Sequence, residues 1–238
     1  MNNRQLILET MFREAETELW SRYKISTQGV SGSAENIKGL IFPTNSDGKV
    51  RVSEKEARQL VIEQIHKHSL SYSIETPTRK KYCFSGKTPR SASTDLSIYD
   101  HAGKKLFNIE FKAGARSLDR GDVKDITKDF KKLALEDVDG IWFHTLENVD
   151  IRSVRGLWQT INRELNNVLS TTVGQRTPKT LDFHLSILSL CCSVSRSFDI
   201  QADCSSIGAI DHPVITNRQS LRQSERTYEV DGWTIHQV

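Results

Sequence analysis

Thr94-Asp95-Leu96-Ser97-Ile98-Tyr99, followed after a short break by Leu106-Phe107-Asn108-Ile109-Glu110-Phe111-Lys112, is the stretch whose reading decides the fold. Apolar and polar residues alternate with period two in both segments, the pattern of half-buried strands. Leu96 and Ile98 share one face of the first strand; Phe107, Ile109 and Phe111 share one face of the second. Asp95, Glu110 and Lys112 fall on the opposite faces. Between them, Asp100-His101-Ala102-Gly103-Lys104-Lys105 reads as a hairpin turn. A turn symmetric about Ala102-Gly103 places Asp95 directly opposite Glu110, with Lys112 one pleat further on the same face. Like charges facing each other across a ladder are destabilising. Two opposed carboxylates beside a lysine make physical sense where a cation sits between them, so the pattern predicts a metal site. The plain alternative is an exposed cross-strand salt-bridge cluster, which contributes little to stability.

Asp95 with Glu110-Phe111-Lys112 at hairpin separation resembles the motif of the PD-(D/E)XK nuclease superfamily, in which the motif helix carries a glutamate. Such a helix is present in Ser53-Glu54-Lys55-Glu56-Ala57-Arg58-Gln59-Leu60-Val61-Ile62-Glu63-Gln64-Ile65. Ser53 and Glu56 form a capping-box pattern. Glu56 and Glu63 lie seven apart on one edge of the stripe made by Ala57, Leu60, Val61 and Ile65. Thr94 stands where the family name has proline. The resemblance spans about residues 50–170 in the order helix, strand, hairpin, helix, strand, helix.

The resemblance implies an α/β fold: a central mixed β-sheet flanked by helices, a restriction-endonuclease-like core. It implies a metal-dependent nuclease, with DNA as the expected substrate and restriction or antiphage defence as the setting. The implied cofactor is Mg²⁺ or Mn²⁺, suited to hard oxygen ligands. Asp95 and Glu110 are the implied metal ligands, Glu56 (or Glu63) the helix carboxylate, and Lys112 the catalytic lysine. A homodimer is the implied assembly, with a regulatory or defence-system partner as a further expectation. A non-catalytic nucleic-acid- or protein-binding module on the same fold is the competing reading.

The rest of the chain sets bounds. A hydrophobic fraction of 37% and a charged fraction of 26% are those of a globular protein, which argues against wholesale disorder. No apolar run approaches the roughly 18–20 residues of a membrane span, and the N-terminus lacks a signal-peptide pattern, so a cytoplasmic protein is expected. Cys83, Cys191, Cys192 and Cys204 show no metal-ligand spacing. A net charge of +3 permits nucleic-acid binding without demanding it. Lys87 and Arg90 before the site, and Lys124 and Lys128 after it, are the candidate phosphate contacts. No histidine is assigned a catalytic role; His144, on an apolar strand, reads as a core histidine. Glycine-rich phosphate loops and G-x-S-x-G elbows are absent from the sequence.

The expected organisation is an N-terminal helical arm and loop (1–50), a nuclease core (51–192) and a C-terminal extension packed on the core (193–238). Residues 3–24 predict an amphipathic helix through Leu6, Ile7, Met11, Phe12, Ala15 and Leu19. A helix bearing Val123, Ile126, Phe130 and Leu133, capped by Asp122, precedes a strand at 140–146. Residues 151–169 predict a helix through Val154, Leu157, Trp158, Ile161, Leu165 and Val168. Leu181 to Leu190 predicts a further strand. Beyond Ser193 the pattern fades until a terminal hairpin near Tyr228–Trp233.

Overall fold

The computed structural model describes residues 3–28, 39–83, 88–114, 120–213 and 226–237. Helix α1 (Asn3–Gln28) and helix α2 (Glu54–Lys67) come first, then strands β1 (Ser71–Pro77), β2 (Ser93–Tyr99) and β3 (Lys105–Ala113). Helix α3 (Arg120–Leu135), β4 (Asp139–Leu146), α4 (Ile151–Thr171) and β5 (Lys179–Ile187) follow, and β6 (Cys192–Ile200), β7 (Arg226–Val230) and β8 (Trp233–Gln237) complete the chain. The eight strands form one mixed sheet in the order β1-β2-β3-β4-β5-β6-β8-β7. Only β3, β4 and β5 run parallel. α3 and α4 are the connections that parallel neighbours need.

Helices cover both faces of this sheet. On one side α1 and α2 bury Met11, Phe12, Leu19, Leu60 and Ile65 against Leu96, Ile98, Ile109, Phe111 and Phe143. On the other, α3 and α4 bury Ile126, Phe130, Leu157, Trp158 and Ile161 against Trp142, Leu181, Phe183 and Leu185. β4 therefore sends Ile141 and Phe143 one way and Trp142 and Leu146 the other. A strand buried on both faces carries the near-continuous apolar run seen at 140–146. All six apolar residues expected of α4 are buried, and Asp150 caps the helix by accepting the Ser153 N–H at 2.7 Å.

The β2–β3 register is the expected one. Leu96 pairs with Ile109, Ser97 with Asn108 and Ile98 with Phe107, and a shift follows between Ile98 and Tyr99. The turn is built by the Asp100 carboxylate, whose Oδ1 accepts N–H bonds from Ala102 at 3.0 Å and Lys104 at 2.9 Å. Gly103, at φ +75, supplies the left-handed residue that this turn requires.

Three local expectations are corrected. α1 continues to Gln28, and Ile7 lies on its exposed side; the side chains of Leu6, Asp122 and Val123 lie outside the described residues. The strand expected at 181–190 ends at Ile187, where Leu188–Leu190 make one 3₁₀ turn. Cys191 at φ +53 then reverses the chain into β6. The apolar run Ile187-Leu188 and Leu190-Cys191-Cys192 contains neither glycine nor proline, so the turn carried no punctuation. Of the segment read as losing its pattern beyond Ser193, residues up to Ile200 are strand: β6 extends the same sheet, and the expected terminal hairpin, β7 and β8, joins it. Its core side is carried by Val194, Phe198, Ile200, Trp233 and Ile235.

Trp233 ties these strands to α4. Its ring meets Trp158 edge-on at 4.5 Å, and its Nε1 donates to the Asp211 carbonyl at 3.1 Å. Trp233→Ala is expected to cost about 3–5 kcal/mol, the usual range for emptying a buried aromatic site. Urea unfolding followed by far-UV circular dichroism checks this; an unchanged midpoint would mean the C-terminal strands are not part of the cooperative core.

Candidate metal centre

At the point where Asp95 would pair, β2 lets go of both neighbours. The β2–β3 ladder stops at Leu96–Ile109, one residue short of Asp95 and Glu110. The β1–β2 ladder runs from Ser71–Tyr99 to Pro77–Ser93 but skips the step between Glu75 and Asp95. Glu75 there takes φ +50, a left-handed conformation costing on the order of 1 kcal/mol or more for a non-glycine residue. Side chains fill the gap. The Asp95 carboxylate accepts the Phe111 N–H at 2.8 Å through Oδ2, and Arg58 Nη1 donates to the Asp95 carbonyl at 3.4 Å. Arg58 also meets Glu75 at 3.1 Å, and Ser93 Oγ donates to Glu75 at 2.9 Å.

Glu110 and Lys112 point to the α3 face, as the alternation requires, and there they meet two residues that the sequence reading passed over. Lys132 Nζ donates to Glu110 Oε2 at 2.6 Å, to the Ser93 carbonyl at 2.9 Å, and pairs with Asp129 Oδ1 at 2.8 Å. Asp129 Oδ2 lies 2.8 Å from Lys112 Nζ, and Glu54 Oε1 lies 3.5 Å from it on the other side. Lys112 also rests over the ring of the buried Trp142, at 5.9 Å. Charge thus runs Glu54–Lys112–Asp129–Lys132–Glu110, with Asp95 beside it.

The protonation preferences follow from burial and charge. Burial first, then the Asp129 charge, pushes the Glu110 carboxyl well above the carboxylate range, against the pull of Lys132. Asp95 is raised chiefly by burial, although its bond from Phe111 opposes this. Glu54 is raised by burial, with Lys112 opposing and Asp95 and Asp129 adding. Asp129 goes the other way, because Lys132 and Lys112 overcome its burial. Lys112 is raised: burial alone would lower it, but Asp129 and Glu54 hold the proton. Four carboxylates face two ammonium groups, and three of the carboxylates bind protons too readily. Burial is the first cause of those rises, so the ionised carboxylates would demand an added positive charge.

That demand fits the implied cation. Glu110 is fully buried, and its Oε1 has no hydrogen-bond partner. Asp95 Oδ2 is committed to Phe111, which fixes the orientation of its carboxylate. Among the described residues no group of three or more His, Cys, Asp or Glu side chains could by itself hold a metal ion. Asp95 and Glu110 would offer a pair of carboxylates, a provision that suits Mg²⁺, which keeps several of its waters.

Glu56 is occupied elsewhere. Its Oε2 accepts from the Ser53 N–H at 2.6 Å and from the Ser53 hydroxyl, closing the capping box. The carboxylate of α2 that reaches Lys112 is Glu54, in the helix's first turn. Glu63, the other candidate, is bonded by Gln59 of its own helix at 3.5 Å. A signal for Asp129 was present: it lies three residues after Ile126 and four before Leu133, in line with the apolar stripe of α3, where a charge calls for a buried partner. Arg90 and Lys124 are exposed, Lys128 is half-buried on α3, and Lys87 lies outside the described residues.

Searched against family models, curated proteins and solved structures, the chain finds no match.

His144 sits beneath this site, facing Lys112 across the β3–β4 ladder. It is fully buried, its Nε2 lies 3.0 Å from the Gly114 carbonyl, and burial brings it down to about 4. A histidine depressed in the folded state contributes stability above its unfolded value of about 6.5, lost as pH falls toward 4. Between pH 6.5 and 4, wild type should lose up to roughly 3 kcal/mol more than His144→Phe. Parallel urea titrations across that window test it; superimposable pH profiles would rule the assignment out.

Proposed function

We propose that the protein is a metal-dependent nuclease that hydrolyses phosphodiester bonds, with DNA as substrate, on a restriction-endonuclease-like core. One observation carries this reading: a buried carboxylate with an unpartnered oxygen, Glu110, stands beside Asp95 at a deliberate break in the sheet. The motif lysine, Lys112, lies on the same face.

Asp95 and Glu110 would hold Mg²⁺, which would polarise a phosphate and lower the pKa of bound water. Phe111 N–H and Lys132 orient the two carboxylates. Asp129 and Glu54 favour the ammonium form of Lys112, which suits a hydrogen-bond donor better than a general base. Its role is to donate hydrogen bonds to the negative charge that develops on the phosphoryl oxygens. Its side chain is 16% exposed and Glu54 48%, so solvent and substrate approach from this side while Glu110 and Lys132 lie deeper. Homodimeric assembly, a defence setting and a regulatory partner extend this proposal by analogy.

A second reading has its own support. Lys112 and Lys132 are already paired with Asp129, Glu54 and Glu110, so the cluster is partly neutralised by the chain itself. A binding module that keeps the sheet without the chemistry would show such pairing.

Lys112→Met should lower cleavage of plasmid or linear DNA by at least about 10²-fold, the scale of removing one transition-state donor, and leave the circular dichroism spectrum unchanged. Wild type and variant are compared on DNA and RNA with Mg²⁺, Mn²⁺ or EDTA. Cleavage by the variant at the wild-type rate defeats the mechanism; nucleic-acid binding by wild type without cleavage under any condition favours the module.

A further inference from the structure

Lys132 is not part of the motif, yet it has the most complete set of oxygen partners in the site. Its ammonium has three oxygens around it, from three elements: Glu110 Oε2 on β3 at 2.6 Å, Asp129 Oδ1 on α3 at 2.8 Å and the Ser93 carbonyl on β2 at 2.9 Å. Two carboxylates and a peptide carbonyl are the hard donors that a magnesium-like ion takes. The lysine side chain is 4% exposed, so the cation is enclosed. Glu110 divides its two oxygens, giving Oε2 to this ammonium and leaving Oε1 buried and unpartnered. A carboxylate bridging two adjacent cations has this arrangement.

The charges agree. Once ionised, Asp95, Glu110, Asp129 and Glu54 stand against Lys112 and Lys132 and leave two negative charges, the amount that one divalent ion neutralises. Without the Lys132 charge there would be three, and Glu110 and Asp129 would both be open to a second ion.

We propose that the ammonium of Lys132 holds the position of a second metal ion, so that the site takes a single divalent cation at the Glu110 Oε1 and Asp95 side. This rests on the metal-dependent reading above. Lys132 is then a positioning residue: it sets the Glu110 carboxylate and fixes the ion count, and Lys112 remains the group that faces the substrate.

The test is an Mn²⁺ titration of the full chain without nucleic acid, by calorimetry and by the electron paramagnetic resonance of free Mn²⁺. Wild type, Lys132→Met, Lys132→Gln and Lys132→Arg are compared, each with its melting temperature. One Mn²⁺ is expected in wild type and in Lys132→Arg, and two in whichever of the neutral variants folds. A purely structural ion pair would lower the melting temperature of the neutral variants and leave the count at one, which overturns the proposal. So does a count of two in wild type, whatever the variants do. No Mn²⁺ in wild type removes this inference and the metal reading together. One Mn²⁺ in wild type with no cleavage of DNA or RNA removes only the nuclease reading, leaving the ion count intact.

Discussion

The chain of charges Glu54–Lys112–Asp129–Lys132–Glu110 is the constraint on which the architecture around the site depends. It joins the first turn of α2, the end of β3 and the C-terminal half of α3, and through Ser93 it reaches β2. Desolvating such groups is expensive, and replacing buried ion pairs by apolar residues of similar volume is often neutral or stabilising. A sheet that needed only stability would be served by leucines here. The strain at Glu75 and the interrupted ladders at Asp95 point the same way: regular pairing is given up where the carboxylates are displayed.

The position of the chain's charges within the fold is consistent with a site. β3 is where the sheet changes from antiparallel to parallel pairing, with β2 on one side and β4 on the other. Lys112 lies one residue before the end of β3, at the carboxyl end of the parallel strands, where ligands of open α/β sheets gather. Rigid neighbours support it. Trp142 lies under Lys112, and Phe130 of α3 packs on the Trp142 ring at 4.6 Å, so the helix bearing Asp129 and Lys132 is seated on the sheet core. A constellation on strands and a packed helix is held more precisely than one on loops.

Much of this was legible in the sequence because period and turn chemistry are local. The alternation at 94–99 and 106–112, with Asp100 and Gly103 in the turn, sufficed for the register, and the six apolar positions of α4 sufficed for its buried face. What escaped depends on contacts between distant segments. Asp129 and Lys132 gain meaning only when α3 crosses the β2–β3 hairpin, and nothing near them in sequence names Glu110 as their partner. Glu54 and Glu56 show the limit at finer scale. Both stand in the first turn of α2, but Glu56 sits at the third helical position and is drawn back to Ser53, which leaves Glu54 to meet Lys112. The capping box was readable; that it would divert the residue expected in the site followed only from the geometry. β6 escaped because Arg196 interrupts the apolar row of Cys192, Val194, Phe198 and Ile200, while Ser193, Ser195, Ser197 and Asp199 make its other face polar.

A further buried carboxylate decides what surrounds the site. Glu136, just past the end of α3, accepts the backbone N–H groups of Arg79 and Lys80 at 3.1 Å each and the Tyr82 hydroxyl at 2.7 Å, and its carbonyl accepts from Lys179. Burial, and then Glu136 itself, raises the Tyr82 hydroxyl far above its usual value, so it remains a donor. Tyr82 and Arg90 pair through both backbone bonds, at 2.8 and 2.9 Å. The backbone of the β1–β2 connection is thereby tied to the helix that carries Asp129 and Lys132, while the Arg79, Lys81 and Arg90 side chains stay exposed. The described part of that connection is anchored by its main chain and carries charge on its outer side without using it in the fold. On the nuclease reading, contacts of this kind set register on a nucleic acid and carry no sequence information. They would give the binding its salt dependence, because each phosphate neutralised releases counterions. On the same reading, α3, which seats Lys132 against Glu110 and leads into Glu136, would set both the position of the cation and that of the substrate backbone.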